Sequence, residues 1–97
     1  MRSLCEIKDI LAQHKLELAE KYSVKEIGIF GSYARGEQTD QSDLDVLVEF
    51  HNAPGLLRFI ELEDYLSSLL GVHVELVRKR SIREELRDQI LHEAIEV

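Results

Sequence analysis

The chain has 97 residues, a formal net charge of −7, and 44% hydrophobic and 32% charged residues. This length and composition predict one soluble globular domain over residues 1–97 rather than a disordered or fibrous chain. The negative charge disfavours non-specific binding to nucleic acid, which requires a basic surface to displace phosphate counterions. No apolar stretch is long enough to cross a membrane, and the single cysteine, Cys5, excludes an intramolecular disulfide. A cytoplasmic location is expected.

Apolar periodicity and the positions of the glycines divide the chain into helices and strands. Helical stripes follow two capping-box patterns, Ser3–Glu6 and Ser81–Glu84, and β-branched runs mark the strands. The predicted elements are a helix over residues 4–21, a strand over 25–30, a helical turn over 32–36, a strand over 43–50, a helix over 55–70, a strand over 72–77 and a final helix whose apolar stripe continues to Ile95. The predicted fold class is α/β of the α+β kind: two layers, with a small mixed three-stranded sheet flanked by helices.

Three carboxylates on two of these strands are candidate metal ligands. Asp43 and Asp45 are two residues apart and therefore share a strand face, at a backbone spacing of roughly 7 Å. Glu75 on the next strand would add a third carboxylate. Magnesium prefers such oxygen ligands, and two ions held this way activate the attacking oxygen and stabilise the leaving group of an in-line displacement. Taken alone, an Asp-x-Asp pair is more often an ordinary surface feature, and Glu75 is equally an exposed strand residue.

A Gly-Ser turn precedes the aspartates. Gly31 ends the first predicted strand, where a glycine allows close approach of a ligand to the backbone, and Ser32 begins a helical turn whose free N–H groups suit phosphate oxygens. An ordinary strand-to-helix turn with Ser32 as its N-cap explains the same pattern.

The two motifs together are more specific than either alone. Gly31-Ser32, ten further residues and Asp43-Leu44-Asp45 form the pattern GS-x10-D-x-D, within the segments GSYARGE and SDLDVLVEF. This resembles the nucleotidyltransferase superfamily that includes DNA polymerase β, and in particular its minimal members. The similarity extends over nearly the whole chain, including VHVELVRKRSIREELRDQILHEAIEV.

The resemblance implies transfer of a nucleoside monophosphate from a nucleoside triphosphate to an acceptor hydroxyl. It assigns Mg²⁺, as two ions, to Asp43, Asp45 and Glu75, and it assigns the triphosphate of ATP to Gly31 and Ser32. Family members commonly have Asp at the third position, so Glu75 is a departure whose longer side chain changes its reach. The resemblance gives Glu75 the roles of metal ligand and general base.

Other residues near the motif remain open. Arg35 matches the family pattern GS-x-A-R-G and would contact a phosphate or orient the loop, or else pair with a nearby acidic residue, Glu37 or Asp40. Tyr33 would stack on a base or cover the core. The histidines His51 and His73 lie outside any ligand pattern and are expected to be structural or solvent-facing.

The minimal members of this family are usually encoded beside a helical HEPN-domain protein. In the best understood pairs the HEPN protein is a toxic ribonuclease, and the nucleotidyltransferase is an antitoxin that adenylylates one of its tyrosines with ATP. The chain is too short for a second domain, so the acceptor surface is expected from that partner or from a homo-oligomer. Two other functions remain open: a non-catalytic module that masks its HEPN partner, and a nucleotidyltransferase acting on an antibiotic or metabolite.

Overall fold

The structure is a computed structural model and describes residues 2–97. Within this range, five helices and four strands follow each other. They are α1 (Leu4–Gln13), α2 (Lys15–Tyr22), β1 (Val24–Phe30), α3 (Ser32–Arg35), β2 (Leu44–Phe50), α4 (Leu56–Leu70), β3 (Val74–Arg78), α5 (Glu84–Glu93) and β4 (Ile95–Glu96), with a 3₁₀ turn at Lys79–Ser81 between β3 and α5. None of the helices within residues 2–97 combines the length and the apolar character needed to cross a membrane.

The strands form one mixed sheet in the order β3-β2-β1-β4. Strand β1 is antiparallel to both β2 and β4, whereas β2 and β3 are parallel. The alternation predicted for β2 is confirmed, because Leu44, Val46 and Val48 are buried in the core while Asp45 lies on the opposite face. The two-layer mixed α/β fold is as predicted, but the sheet has four strands and not three.

The fourth strand was predicted as the end of the last helix. Helix α5 ends at Glu93, and Ala94 turns the backbone to an extended conformation so that Ile95 pairs with Ile29. Gly28 permits this approach, since a Cβ there would lie only 3.1 Å from the carbonyl oxygen of Ile95. No helix-ending glycine or proline marks the change, so the apolar stripe alone extended the helix too far.

Two other predicted boundaries are wrong. The first helix is broken at His14, whose ring Nδ1 lies 2.8 Å from the carbonyl oxygen of Ile10 and whose backbone leaves the helical conformation. The capping box at Ser81 does not form, because Ser81 belongs to the 3₁₀ turn and the buried Ile82 is extended. Helix α5 therefore begins only at Glu84, after Arg83.

The core lies between one face of the sheet and three helices. Helices α1, α2 and α4 contribute fully buried aliphatic side chains, whereas α5 contributes none. The predicted cap of α1 is confirmed, with Ser3 Oγ accepting from the amide of Glu6 at 3.2 Å. The buried aliphatic side chains of the three helices are Ile7, Leu11, Leu18, Leu62, Leu66 and Leu70.

Candidate active site

The sheet topology places both sequence motifs at one edge. Because β1 and β2 are antiparallel, the end of β1 adjoins the start of β2, and Phe30 pairs with Asp45. Because β2 and β3 are parallel, their starts also adjoin, and Asp45 pairs with Glu75. The Gly-Ser turn that follows Phe30, the aspartates and Glu75 therefore meet where β1 ends and where β2 and β3 begin.

Helix α4 fixes the strand that carries Glu75. Strand β3 is at the edge of the sheet, where unpaired amides would otherwise be left exposed. The amide of Val74 instead donates to Ser67 Oγ at 3.0 Å, and the amide of Leu76 donates to Glu63 Oε2 at 2.9 Å. Glu75 is consequently held between two anchored residues, although its own side chain is exposed.

Gly31 is in direct contact with Asp45. Its φ of 75° lies in a region that L side chains rarely adopt, and a Cβ there would overlap Oδ2 of Asp45 and lie 3.0 Å from its Cγ. Gly31 is also the N-cap of the four-residue helix α3, so Ser32 is the first residue of the helix and not its cap. The close packing of the turn against the carboxylate requires glycine at this position.

Asp45 and Glu75 occupy paired positions on β2 and β3, so their carboxyl groups are close enough to influence each other. Partial burial raises the pKa of Asp45 to about 6, and the neighbouring Glu75 carboxyl group and the charge of Asp43 act in the same direction. The two adjacent carboxylates therefore repel each other when both are ionised. A proton or a cation relieves that repulsion.

Asp43 lies one residue before β2 and contacts His73 instead of Asp45. Its Oδ1 accepts a hydrogen bond from Nδ1 of His73 at 3.1 Å, since an ionised carboxylate can only accept. His73 is solvent-facing, as expected, with 71% of its side chain exposed, but it also contacts a predicted site residue. The alternation of His73 with Val74 and Glu75 was the available signal, because it places His73 on the strand face that carries Glu75.

Arg35 pairs with two acidic residues rather than lying free. Its Nε donates to Glu37 Oε1 at 2.7 Å, which is one of the ion pairs expected from the sequence. Its Nη1 donates to Glu93 Oε1 at 2.8 Å, a partner that no sequence pattern indicated. The neighbouring Tyr33 is 1% exposed and belongs to the core, so it covers the core and does not present its ring to a base.

The three predicted ligands have the oxygen donors that suit a hard divalent cation, although their side chains do not converge in this structure. Within residues 2–97, no three Asp, Glu, His or Cys side chains converge as a metal-binding group. Asp45 and Glu75 are paired across β2 and β3, and their oxygens are of the type that Mg²⁺ prefers. Asp43 would complete the group only after turning from His73, so the three-carboxylate metal site stays a prediction.

The candidate site is an open edge of the sheet. Two cavities, of about 220 and 410 Å³, lie elsewhere, and neither is lined by Gly31, Asp43, Asp45 or Glu75. Both are lined by Val48, Glu49 and Lys79, near the end of β2 that is remote from Asp45. Asp43 and Glu75 are exposed, so solvent reaches the candidate site directly.

Comparison with known proteins identifies the family of this fold and its motifs. A family model described as a nucleotidyltransferase domain matches residues 11–97. The protein adenylyltransferase MntA of Thermococcus cleftensis is 50% identical over 97 residues, which cover 100% of this chain and 98% of the relative.

Solved structures agree with this assignment. A candidate minimal nucleotidyltransferase is 38% identical with a TM-score of 0.76, and the match covers 94% of this chain and 95% of that one. A toxin–antitoxin structure with AMP-PNP is 28% identical with a TM-score of 0.71, and the match covers 87% of this chain and 69% of that one. The chain, whose GS-x10-D-x-D residues meet at one edge of the sheet, thus belongs to the nucleotidyltransferase domain family and is an enzyme of the minimal nucleotidyltransferase type.

Proposed function

We propose that this enzyme is a Mg²⁺-dependent protein adenylyltransferase, which transfers AMP from ATP to a tyrosine hydroxyl of a HEPN-domain toxin and thereby acts as its antitoxin. The observation that carries the proposal is the meeting of the Gly31 turn, Asp45 and Glu75 at one sheet edge. Two similarities support the chemistry and the setting: one relative is named a protein adenylyltransferase, and one solved relative is a toxin–antitoxin structure with AMP-PNP.

The Gly-Ser turn is the proposed triphosphate site. Backbone amides at the start of α3 and the hydroxyl of Ser32 would bind phosphate oxygens, and the absence of a side chain at Gly31 lets this turn pack against the carboxylate of Asp45. The guanidinium of Arg35 has five N–H donors, of which the ion pairs described above use two. The remaining donors would bind the triphosphate, and Nε would join them once the exposed Glu37 is displaced.

The carboxylates would act on the acceptor side. The acceptor oxygen forms a bond to the α-phosphorus of ATP, the bond from that phosphorus to the oxygen bridging to the β-phosphate breaks, and pyrophosphate leaves. The hydroxyl proton passes to a carboxylate, for which the exposed Glu75 beside Asp45 is the proposed base. The pKa of about 6 means that Asp45 is mostly ionised at neutral pH and can orient Glu75 or bind a cation.

Magnesium would be held by Asp45 and Glu75, and by Asp43 once its side chain leaves His73. When bound, the ion supplies Lewis-acid stabilisation of charge on the reacting phosphate. The raised pKa of Asp45 supports this assignment, because crowded carboxylates gain from a nearby cation.

The test is incubation of the chain with labelled ATP, Mg²⁺ and the product of the neighbouring gene, which the proposal expects to be a HEPN-domain protein. We expect label on a tyrosine of the partner, and its loss in the double variant Asp43→Ala with Asp45→Ala. Asp64→Ala is the matched control, since Asp64 is an exposed carboxylate on α4 outside the candidate site. No label on the partner with the unaltered chain would refute the proposal.

Neutralisation of the toxin distinguishes adenylylation from masking. In this structure Asp43 is paired with His73, and Arg35 is paired with Glu37 and Glu93. A non-catalytic module that only masks its partner could have the same ion pairs. If the double variant still protects cells from the partner without labelling it, the masking module is the correct function. If protection disappears together with the label, transfer is required.

A further inference from the structure

Glu93 at the end of α5 contacts both parts of the proposed triphosphate site. Its Oε1 accepts from the backbone amide of Gly31 at 2.7 Å and from Nη1 of Arg35 at 2.8 Å. One carboxylate oxygen thus joins the turn to the arginine that follows it. Charge-assisted hydrogen bonds of this kind are short and strong and set the geometry of both donors.

Glu93 is well placed to hold the turn rigidly. Its side chain is only 17% exposed, and the chain directly after it enters the sheet as β4. Ile95 pairs with Ile29 of β1, and the amide of Val97 donates to the carbonyl oxygen of Ile27 at 3.0 Å. The carboxylate is therefore fixed to the same strand that leads into Gly31.

The second partner of Arg35 lies in a different environment. The side chain of Glu37 is 59% exposed and lies in the loop after α3. Water screens such exposed pairs, so their contribution is small. A phosphate oxygen can replace Glu37 at low cost, whereas replacing Glu93 would also leave the Gly31 amide without its present acceptor.

We propose that Glu93 is a positioning residue for nucleotide binding. It holds the Gly31 turn and one side of the Arg35 guanidinium in place, and the triphosphate replaces Glu37 on the other side of the guanidinium. This inference rests on the proposed function, because it assumes that the Gly31 turn and Arg35 bind the triphosphate. Glu93 itself does not touch the nucleotide in this arrangement.

The test compares AMP-PNP binding in the presence of Mg²⁺ by calorimetry for the unaltered chain, Glu93→Ala, Glu93→Gln and Glu37→Gln. We expect Kd to rise about tenfold or more in Glu93→Ala, which corresponds to about one charge-assisted hydrogen bond. Glu93→Gln keeps an acceptor oxygen and should recover part of the loss. The matched control Glu37→Gln should change Kd by less than about twofold, as expected for an exposed pair.

A double-mutant cycle separates positioning from general destabilisation. In an Arg35→Ala background, Glu93→Ala should weaken binding much less than it does alone, because one of its two targets is gone. An undiminished effect would indicate loss of structure and would overturn the inference, as would equal AMP-PNP binding by the unaltered chain and Glu93→Ala. If Glu93→Ala does not fold, the same comparisons are made with Glu93→Gln.

Failure of the proposed function is a different result. If the unaltered chain does not bind AMP-PNP, the assignment of the triphosphate site is refuted and the role of Glu93 is refuted with it. If the unaltered chain binds and the Glu93 variants bind equally well, only the role of Glu93 is refuted.

Discussion

Asp45→Asn should stabilise the metal-free protein at neutral pH. Burial and the neighbouring Glu75 raise the pKa of Asp45 from 3.8 to about 6, so the folded chain resists ionising this carboxyl group. Asparagine has nearly the same shape and remains neutral at every pH. The substitution therefore removes a partly buried charge beside Glu75 while preserving the packing against Gly31.

The sign and size of the effect follow from proton linkage. Between pH 4 and pH 6 the folded state binds more protons at Asp45 than the unfolded state does, so the contribution of Asp45 to the stability of the unaltered protein falls as the pH rises through this range and is then constant. The pKa lies about two pH units above its ordinary value, which sets an upper limit of about 3 kcal/mol. Partial access of water to the group reduces the expected gain in Asp45→Asn to about 1–2 kcal/mol.

The assay is urea denaturation at several pH values from 4 to 7.5 in the presence of a metal chelator. The free energies of unfolding of Asp45→Asn and the unaltered chain should be nearly equal at pH 4 and should separate as the pH rises to 6. Asp64→Asn, on an exposed part of α4, is the control and should show no such separation. A variant that is less stable than the unaltered chain at pH 7.5, or a difference independent of pH, would refute the reasoning.

Three further predictions concern the same edge and the first helix. In thermal melts at pH 7.5, added Mg²⁺ should raise the Tm of the unaltered chain but not the Tm of the double variant Asp43→Asn with Asp45→Asn. Equal shifts in Tm for the two proteins would contradict the metal site. Gly31→Ala should lower the free energy of unfolding in urea denaturation by more than about 2 kcal/mol, because the new Cβ would overlap Asp45. Gly36 has a similar φ of 73° but open space around it, so Gly36→Ala should lower the free energy of unfolding by only about 1 kcal/mol. Equal losses in the two variants would argue against the contact between Gly31 and Asp45. Ser3→Ala should cost about 1 kcal/mol in the same assay through loss of the α1 cap, and an unchanged midpoint would show that the cap contributes nothing.

Local patterns were sufficient where an element depends on its own residues. The alternation around Val46 located β2 and its two faces, and the apolar stripe that ends at Gly71 located α4. These periods are determined by backbone geometry, so they can be recognised without knowledge of the rest of the chain. Local patterns were insufficient at His14 and Ser81, where the burial or hydrogen bonding of individual side chains overrode the apolar stripe and the capping pattern.

The sequence by itself determined the family, the mixed two-layer fold and the candidate residues of the Gly-Ser turn and the Asp-x-Asp pair, because short motifs and periodic burial are local properties. Only the tertiary structure decided which groups meet at the site. It paired Asp45 with Glu75, turned Asp43 toward His73 and brought Glu93 to Gly31 across 62 positions of the chain. Such contacts arise from strand order and from the packing of α5 and β4, which join distant segments that no local pattern relates.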